Sequence, residues 1–176
     1  TALKAIVIPA KVTAIVQFAF TDCTALKTVT FESNTTLTKL GAYAFVNTGI
    51  TAFDMPDSVT YIGVYQFAGC KDLATLTISS NVTAIPNNMC DNKYEYEYSY
   101  LVETRNLRVE LQDCAALKEI VIPAGVTSIG ASAFKNTTGL ASVTFENGTA
   151  IENIGESAFE NSGIKTFDIS TAVDDR

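Results

Sequence analysis

Apolar residues recur along this chain in the same arrangement every 23 or 24 positions. Each repeat begins Leu-x-x-Ile-x-Ile, passes through a short polar turn, and continues as Val-x-x-Ile-Gly-x-x-Ala-Phe-x-x-Cys or a close variant. A fixed period of this length is typical of a solenoid, in which one repeat cannot bury its apolar face alone. The pattern is clearest in residues 3–23, 26–48, 50–70, 117–137 and 140–162.

The first part of each repeat predicts a short strand. Its last two apolar residues are two positions apart, and this alternation places both on one face, which we expect to point inward. The inward pairs are Ile6/Ile8, Val29/Phe31, Phe53/Met55, Leu76/Ile78, Ile120/Ile122, Val143/Phe145 and Phe167/Ile169. Proline follows three of these strands, and proline cannot donate to a strand ladder. A turn is therefore predicted after each strand.

The second part of each repeat predicts a short helical turn, because spacings of three and four run from Ile through Ala-Phe to Cys. The glycine position of this segment holds Val16 in the first repeat and Pro86 in the fourth. An obligatory positive φ is therefore not expected there, and glycine should serve close packing or a cap. The last position exchanges Cys, Thr and Ser, which predicts a buried ladder of small side chains bonded to backbone.

The repeat resembles the leucine-rich repeat of BspA-like surface proteins. The residues that carry the resemblance are Ile129-Gly130, Ala133-Phe134 and Thr137, and Cys114, Leu117, Ile120, Ile122 and Pro123. The resemblance implies an α/β, mainly β, right-handed solenoid of about seven coils, with a parallel sheet and short helical turns on the other side. It also implies a secreted or cell-surface protein of anaerobic bacteria or protists that adheres to host matrix proteins or other cells.

One stretch interrupts the repeats. Residues 86–90 take the Gly-x-x-Ala-Phe positions, so the next cysteine position falls at residue 93, but the cysteine that precedes the next repeat is Cys114, 21 residues later. We interpret residues 91–111 as an insertion, and its two alternating runs predict a hairpin. Tyrosine is enriched at binding hot spots, so four tyrosines are candidate ligand contacts unless they only pack on the solenoid. They are Tyr94, Tyr96, Tyr98 and Tyr100.

The outward positions of the strands form a second candidate surface. They would line up across the sheet as a threonine-rich, mildly acidic face, and solenoid faces are common binding surfaces. Threonine also suits an exposed strand for structural reasons alone. No aromatic residue falls on this face, which weakens an interpretation based on glycan stacking. The candidate ligand contacts are Thr28, Thr30, Asp54, Thr75, Thr77 and Thr144.

Cys90 and Cys114 bracket the insertion. A disulfide between them would close its base if the protein works in an oxidising compartment. Two buried free thiols that pack like small apolar residues are the alternative, and the sequence leaves both open.

Composition and charge exclude several classes of function and partner. The net charge of −7 argues against nucleic acid and anionic lipid as partners. There is no apolar run of about 18 residues, so membrane attachment would need an anchor outside this sequence. Histidine is absent and no phosphate-binding glycine loop occurs, so neither an enzyme, a cofactor nor a metal site is predicted.

The chain opens in mid-pattern, so residues 1–176 are interpreted as one leucine-rich-repeat domain from a longer protein. The predicted function is a non-enzymatic extracellular or cell-surface interaction module that adheres to matrix proteins or other cells. A structural spacer rod and a glycan-binding module of a surface system are the alternatives. The oligomeric state is left open.

Overall fold

The computed structural model describes residues 2–91 and 113–165. Over these ranges the chain forms six coils, each with two short strands. The strands are β1 (Ala5–Ile8), β2 (Ala14–Ile15), β3 (Thr28–Phe31), β4 (Lys39–Leu40), β5 (Ala52–Asp54), β6 (Tyr61–Ile62), β7 (Thr75–Thr77), β8 (Ala84–Ile85), β9 (Glu119–Ile122), β10 (Ser128–Ile129), β11 (Ser142–Phe145) and β12 (Asn153–Ile154). The seventh predicted coil has its inward pair, Phe167/Ile169, outside the described residues.

The coils stack in chain order through parallel strands. The first strands of the coils pair as β1–β3, β5–β7 and β9–β11 on one side of the solenoid, which we call the first sheet. The second strands pair as β2–β4–β6 and β8–β10–β12 on another side, which we call the second sheet. The register joins equivalent repeat positions, such as Ile8 with Phe31 and Ile120 with Val143. The solenoid and its parallel pairing are therefore confirmed.

The core consists of the inward residues of all six coils. The inward pairs that the structure describes are buried or half-buried, and the first leucine of the repeat is fully buried at Leu26, Leu73, Leu117 and Leu140. Burying one such side chain stabilises the fold by about 1.5–3 kcal/mol. Because each coil is thin, this burial depends on the coils that lie above and below it.

A row of phenylalanine rings extends through the core at the Phe position of the repeat. Phe20, Phe45 and Phe67 stack with ring centroids 5.3 and 6.0 Å apart. The row is interrupted in the fourth coil, where Met89-Cys90 replaces Ala-Phe and both side chains are fully buried. There the larger side chain has moved into the alanine position and the smaller one into the phenylalanine position, so the coil keeps a filled core.

The predicted helical turns, and with them the α/β class, are not confirmed, because no helix occurs in the described part of the chain. The segment is instead a run of tight turns. Phe18 and Tyr43 have φ of 61° and 60°, and a residue with positive φ cannot continue a right-handed helix. Their N–H groups donate sideways to the next coil, from Phe18 N to Ala42 O at 3.2 Å and from Tyr43 N to Val64 O at 3.0 Å. These bonds take the place of the bonds within a helix.

The glycine position serves close packing, as predicted. A Cβ on Gly41 would lie 2.5 Å from Gln17 N, and one on Gly63 would lie 2.3 Å from Ala42 N. Neither glycine has a positive φ. Val16 holds this position in the first described coil, and its side chain is exposed.

Gly63→Ala should destabilise the protein, because the new methyl group would meet backbone atoms that cannot move aside. Overpacking of this kind costs about 1–3 kcal/mol. Urea unfolding followed by circular dichroism measures the loss. Gly125→Ala is the matched control, since its nearest neighbour would be Ser80 O at 3.1 Å. Equal unfolding midpoints for the two variants would show that the coils are not packed this closely.

Candidate binding surface

The six candidate strand residues lie on the outward face of the first sheet, and all are exposed. Thr28 and Thr30 lie on β3, Asp54 on β5, Thr75 and Thr77 on β7, and Thr144 on β11. Strand register places Asp54 beside Thr77 and Thr144 beside the exposed Val121. The structure therefore brings these residues onto one surface, and their contact with a ligand stays a prediction.

This face is open between the fourth and fifth coils. No backbone hydrogen bond joins β7 to β9 in the described residues. The same two coils remain joined elsewhere, since β8 pairs with β10 and Cys90 N donates to Ala133 O at 2.9 Å. The fourth and fifth coils are thus hydrogen-bonded along the second sheet and the turns, while their first-sheet strands are unpaired, as β3 and β5 also are.

A cleft of about 270 Å³ lies at this opening. Its walls combine threonine hydroxyls, two carboxylates and apolar side chains. The lining residues are Thr75, Leu76, Thr77, Ile78, Glu119, Val121, Pro123 and Glu146. Its volume falls just below the roughly 300–1,000 Å³ of small-molecule pockets, so it fits one long side chain better than a drug-sized molecule.

The carboxylate of Glu146 is held in place at the edge of the cleft. Its Oε2 accepts a hydrogen bond from Ala124 N at 3.0 Å, as Glu32 of the second coil accepts one from Ala10 N of the first at 2.9 Å. In the part of the chain that the structure describes, neither Glu119 nor Glu146 has a lysine or arginine nitrogen within 4.0 Å. The cleft is therefore an electronegative site with no cation in its lining.

Glu146 was not predicted as a site residue from the sequence. The available signal was the phrase Thr-Phe-Glu, which occurs at residues 30–32 and again at 144–146. That recurrence places a glutamate at the same turn in two coils, but only the stacking of the coils shows that one of them borders a cleft.

The four tyrosines of the insertion, Tyr94, Tyr96, Tyr98 and Tyr100, lie outside the described residues, so their role stays a prediction. A different aromatic row lies on the turns. Phe18, Tyr43 and Tyr65 stack with ring centroids 5.0 and 4.9 Å apart. Because each ring stacks on its neighbour in the next coil, the row stabilises the turns. An aromatic residue two places after the glycine position in each of the first three repeats was its sequence signal.

The predicted ladder of Cys and Thr side chains is present in the core. Cys70 Sγ donates to Phe45 O at 3.0 Å, and Thr48 Oγ1 donates to the same oxygen at 3.0 Å. Cys114 Sγ donates to Phe67 O at 3.3 Å. Cys114 therefore occupies the cysteine position of the fourth coil, although residues 92–112 separate it from the rest of that coil.

Cys90 and Cys114 are fully buried and both are free thiols in the structure. Burial and the hydrogen bond with Cys90 raise the pKa of the Cys114 thiol. Burial raises the pKa of Cys70 to about 12, because a thiolate is poorly solvated in the core. Low thiolate content and burial both make these groups unreactive. The disulfide between Cys90 and Cys114 stays a prediction.

Ellman's reagent at pH 8 should modify one thiol of the native protein quickly. That thiol is Cys23, which is half-buried while the other three cysteines are buried. Cys23→Ser should abolish the fast reaction. In denaturant without reductant, three further thiols should react if all are reduced. Only one should react if Cys90 and Cys114 are bonded, and the intact mass should then be about 2 Da lower. Fast reaction of all four native thiols would contradict this burial.

Residues 2–91 and 113–165 contain no helix long and apolar enough to cross a membrane. In the same residues, no three His, Cys, Asp or Glu side chains are placed to hold a metal ion.

The stacked strands, the first leucine of each coil and the buried Cys/Thr ladder define a leucine-rich-repeat solenoid. The model of the BspA type leucine rich repeat region matches residues 1–104 and 109–175 in six copies. The chain belongs to this family. No curated protein matches it.

Similar solved structures include leucine-rich-repeat proteins. The one from Bacteroides ovatus is 26% identical over 90% of this chain and 46% of its own, with a TM-score of 0.45. The leucine-rich-repeat protein of T. pallidum is 17% identical over 99% and 80%, with a TM-score of 0.60. The pneumococcal vaccine antigen PcpA is 18% identical over 90% and 37%, with a TM-score of 0.52. The T. pallidum and pneumococcal structures show the fold, and the chain spans less than half the length of the Bacteroides and pneumococcal proteins.

Proposed function

We propose that this chain is a non-enzymatic protein-interaction module that acts outside the cell and binds through the outward face of its first sheet. The observation that carries the proposal is the division of the repeat into two sets of residues. The apolar residues of the repeat are buried in the core, while the strands present exposed threonines and carboxylates around an open cleft. A partner protein can bind such a face without any change in the fold.

The rigidity of this face supports binding. Neighbouring coils are hydrogen-bonded along at least one of the two sheets and along the turns, with bonds such as Gly41 N to Ile15 O at 2.7 Å and Phe67 N to Met89 O at 2.8 Å. A surface that is already fixed loses little conformational entropy when a partner binds. The proposed activity is adhesion to a matrix protein or to a protein on another cell.

The size of the face sets what else is required. Six strands about 4.8 Å apart and about four residues long cover roughly 29 Å by 13 Å, or about 400 Å². A standard interface buries about 800 Å² on each partner. The face therefore needs additional surface for tight binding, and the tyrosine-rich insertion or further repeats would supply it.

The proposed location is secreted or cell-surface. Membership of the BspA-type family supports it, as does the description of one similar structure as a vaccine antigen. The competing proposal is a spacer rod that presents another domain. Continuous hydrogen bonding between coils favours that role as well, because it makes the stack stiff.

The binding face is tested by Thr75→Arg/Thr77→Arg, which places two long cationic side chains on β7. Surface plasmon resonance on a panel of immobilised matrix proteins should show at least tenfold weaker binding than the parent chain. Ala84→Arg is the matched control, since Ala84 is exposed on β8 of the same coil but on the second sheet. Its affinity should be unchanged.

Equal losses in both variants would contradict binding through the first sheet. If the parent chain binds neither a matrix protein nor a glycan on an array, the spacer proposal replaces this one. Replacing the four insertion tyrosines by serine separates their two roles. Ligand contact predicts weaker binding at an unchanged urea midpoint, whereas packing on the solenoid predicts a lower midpoint.

A further inference from the structure

We propose that the cleft between β7 and β9 receives a lysine or arginine side chain from an extended segment of the partner protein. The inference rests on the proposed interaction function and names the chemistry of the partner at this site. It is drawn from the backbone groups, the size and the charges of the cleft.

The backbone of β9 is the first observation. Ala141 N donates to Lys118 O and Glu146 N donates to Ile122 O, so alternate residues of β9 direct their backbone groups toward β11. Residues between them direct theirs to the opposite side of a strand. Glu119 and Val121 therefore present their N–H and C=O groups to the cleft.

The backbone of β7 shows the same arrangement from the other wall. Met55 N donates to Thr77 O at 3.2 Å, which places the backbone groups of Thr77 toward β5. Those of Leu76 and Ile78 then point toward β9, where no bond crosses the cleft in the described chain. Unpaired strand groups of this kind are the recognition element for an extended peptide.

The charges select a cationic side chain. Glu119 and Glu146 are the two carboxylates of the lining, and no lysine or arginine belongs to it. Glu146 uses Oε2 to accept from Ala124 N, which fixes the group and leaves Oε1 for a ligand. A charge-assisted hydrogen bond to a carboxylate is about twice as strong as a neutral one.

The shape of the cleft fits the remainder of such a side chain. Val121 is 47% exposed at the wall and offers an apolar surface for the aliphatic stem of lysine or arginine, which these residues commonly bury. Thr75 and Thr77 supply hydroxyls on the facing strand. A volume of about 270 Å³ suits a single side chain, which favours a peptide over a larger free ligand.

Nuclear magnetic resonance titration of the full chain with acetyl-Thr-Val-Arg-Val-Thr-amide tests the inference. The amide signals of Leu76, Ile78 and Val121 should shift and saturate. The same peptide with glutamine in place of arginine should bind at least tenfold more weakly. Absence of saturable shifts at these amides would overturn the assignment. Spermidine that binds as tightly as the arginine peptide would overturn the choice of a peptide ligand.

Glu119→Gln/Glu146→Gln removes both charges, and a glutamine at 146 keeps an oxygen for Ala124 N. This variant should bind the arginine peptide at least tenfold more weakly, while Glu32→Gln, which alters the equivalent contact between the first and second coils, should bind like the parent. Unchanged peptide binding by the double variant would overturn the inference. If the double variant still binds matrix proteins as the parent does, the cleft inference is wrong and the adhesion proposal stands. If the parent chain binds the arginine peptide but no matrix protein, the adhesion proposal is wrong and the cleft inference stands.

Discussion

Hydrogen bonds in this protein run between coils, and no coil can satisfy its backbone alone. The bonds lie on three sides of the stack, as shown by Lys27 N to Lys4 O at 2.8 Å, Gly41 N to Ile15 O at 2.7 Å and Phe45 N to Gln66 O at 3.2 Å. An unpaired buried backbone group costs about 1–3 kcal/mol, so each coil must keep the register of its neighbour. The ladders of leucine, phenylalanine and Cys/Thr side chains follow from that register.

The same constraint explains how the stack tolerates an interruption. Cys90 N bonds to Ala133 O, and Ala84 pairs with Ser128, so the fourth coil lies directly on the fifth. Cys114 then fills the cysteine position that residues 92–112 displace along the sequence. The first sheet is the one side where the junction is open, and the acidic cleft lies there. Strand pairing is also interrupted between β3 and β5 and between β6 and β8, and at each of these junctions the other sheet and the turns keep the coils joined.

Features that depend on one repeat were predictable from the sequence. Inward and outward strand positions follow from alternation, and the exchange of Gly41 with Val16 already argued for close packing rather than positive φ.

The helical turn was predicted wrongly because spacings of three and four also fit successive tight turns. Positive φ at Tyr43 has no compositional signature, since tyrosine rarely adopts it. Asn47 and Asn136, at a later turn position, carried a usable signal because asparagine tolerates this conformation. The cleft could not be predicted from the sequence, because it depends on contacts between coils and the pattern within one repeat does not specify those contacts.

Deletion of residues 92–112 tests most directly whether the coils form one continuous stack. The deletion joins Cys90-Asp91 to Asp113-Cys114 and restores the three-residue spacing found from Phe67 to Cys70. The variant should fold, keep the β-type circular dichroism of the parent, and unfold in urea within about 0.5 kcal/mol of it, the range of a change that leaves core packing intact. A variant that fails to fold, or that loses several kcal/mol, would show that the fourth and fifth coils do not stack as described.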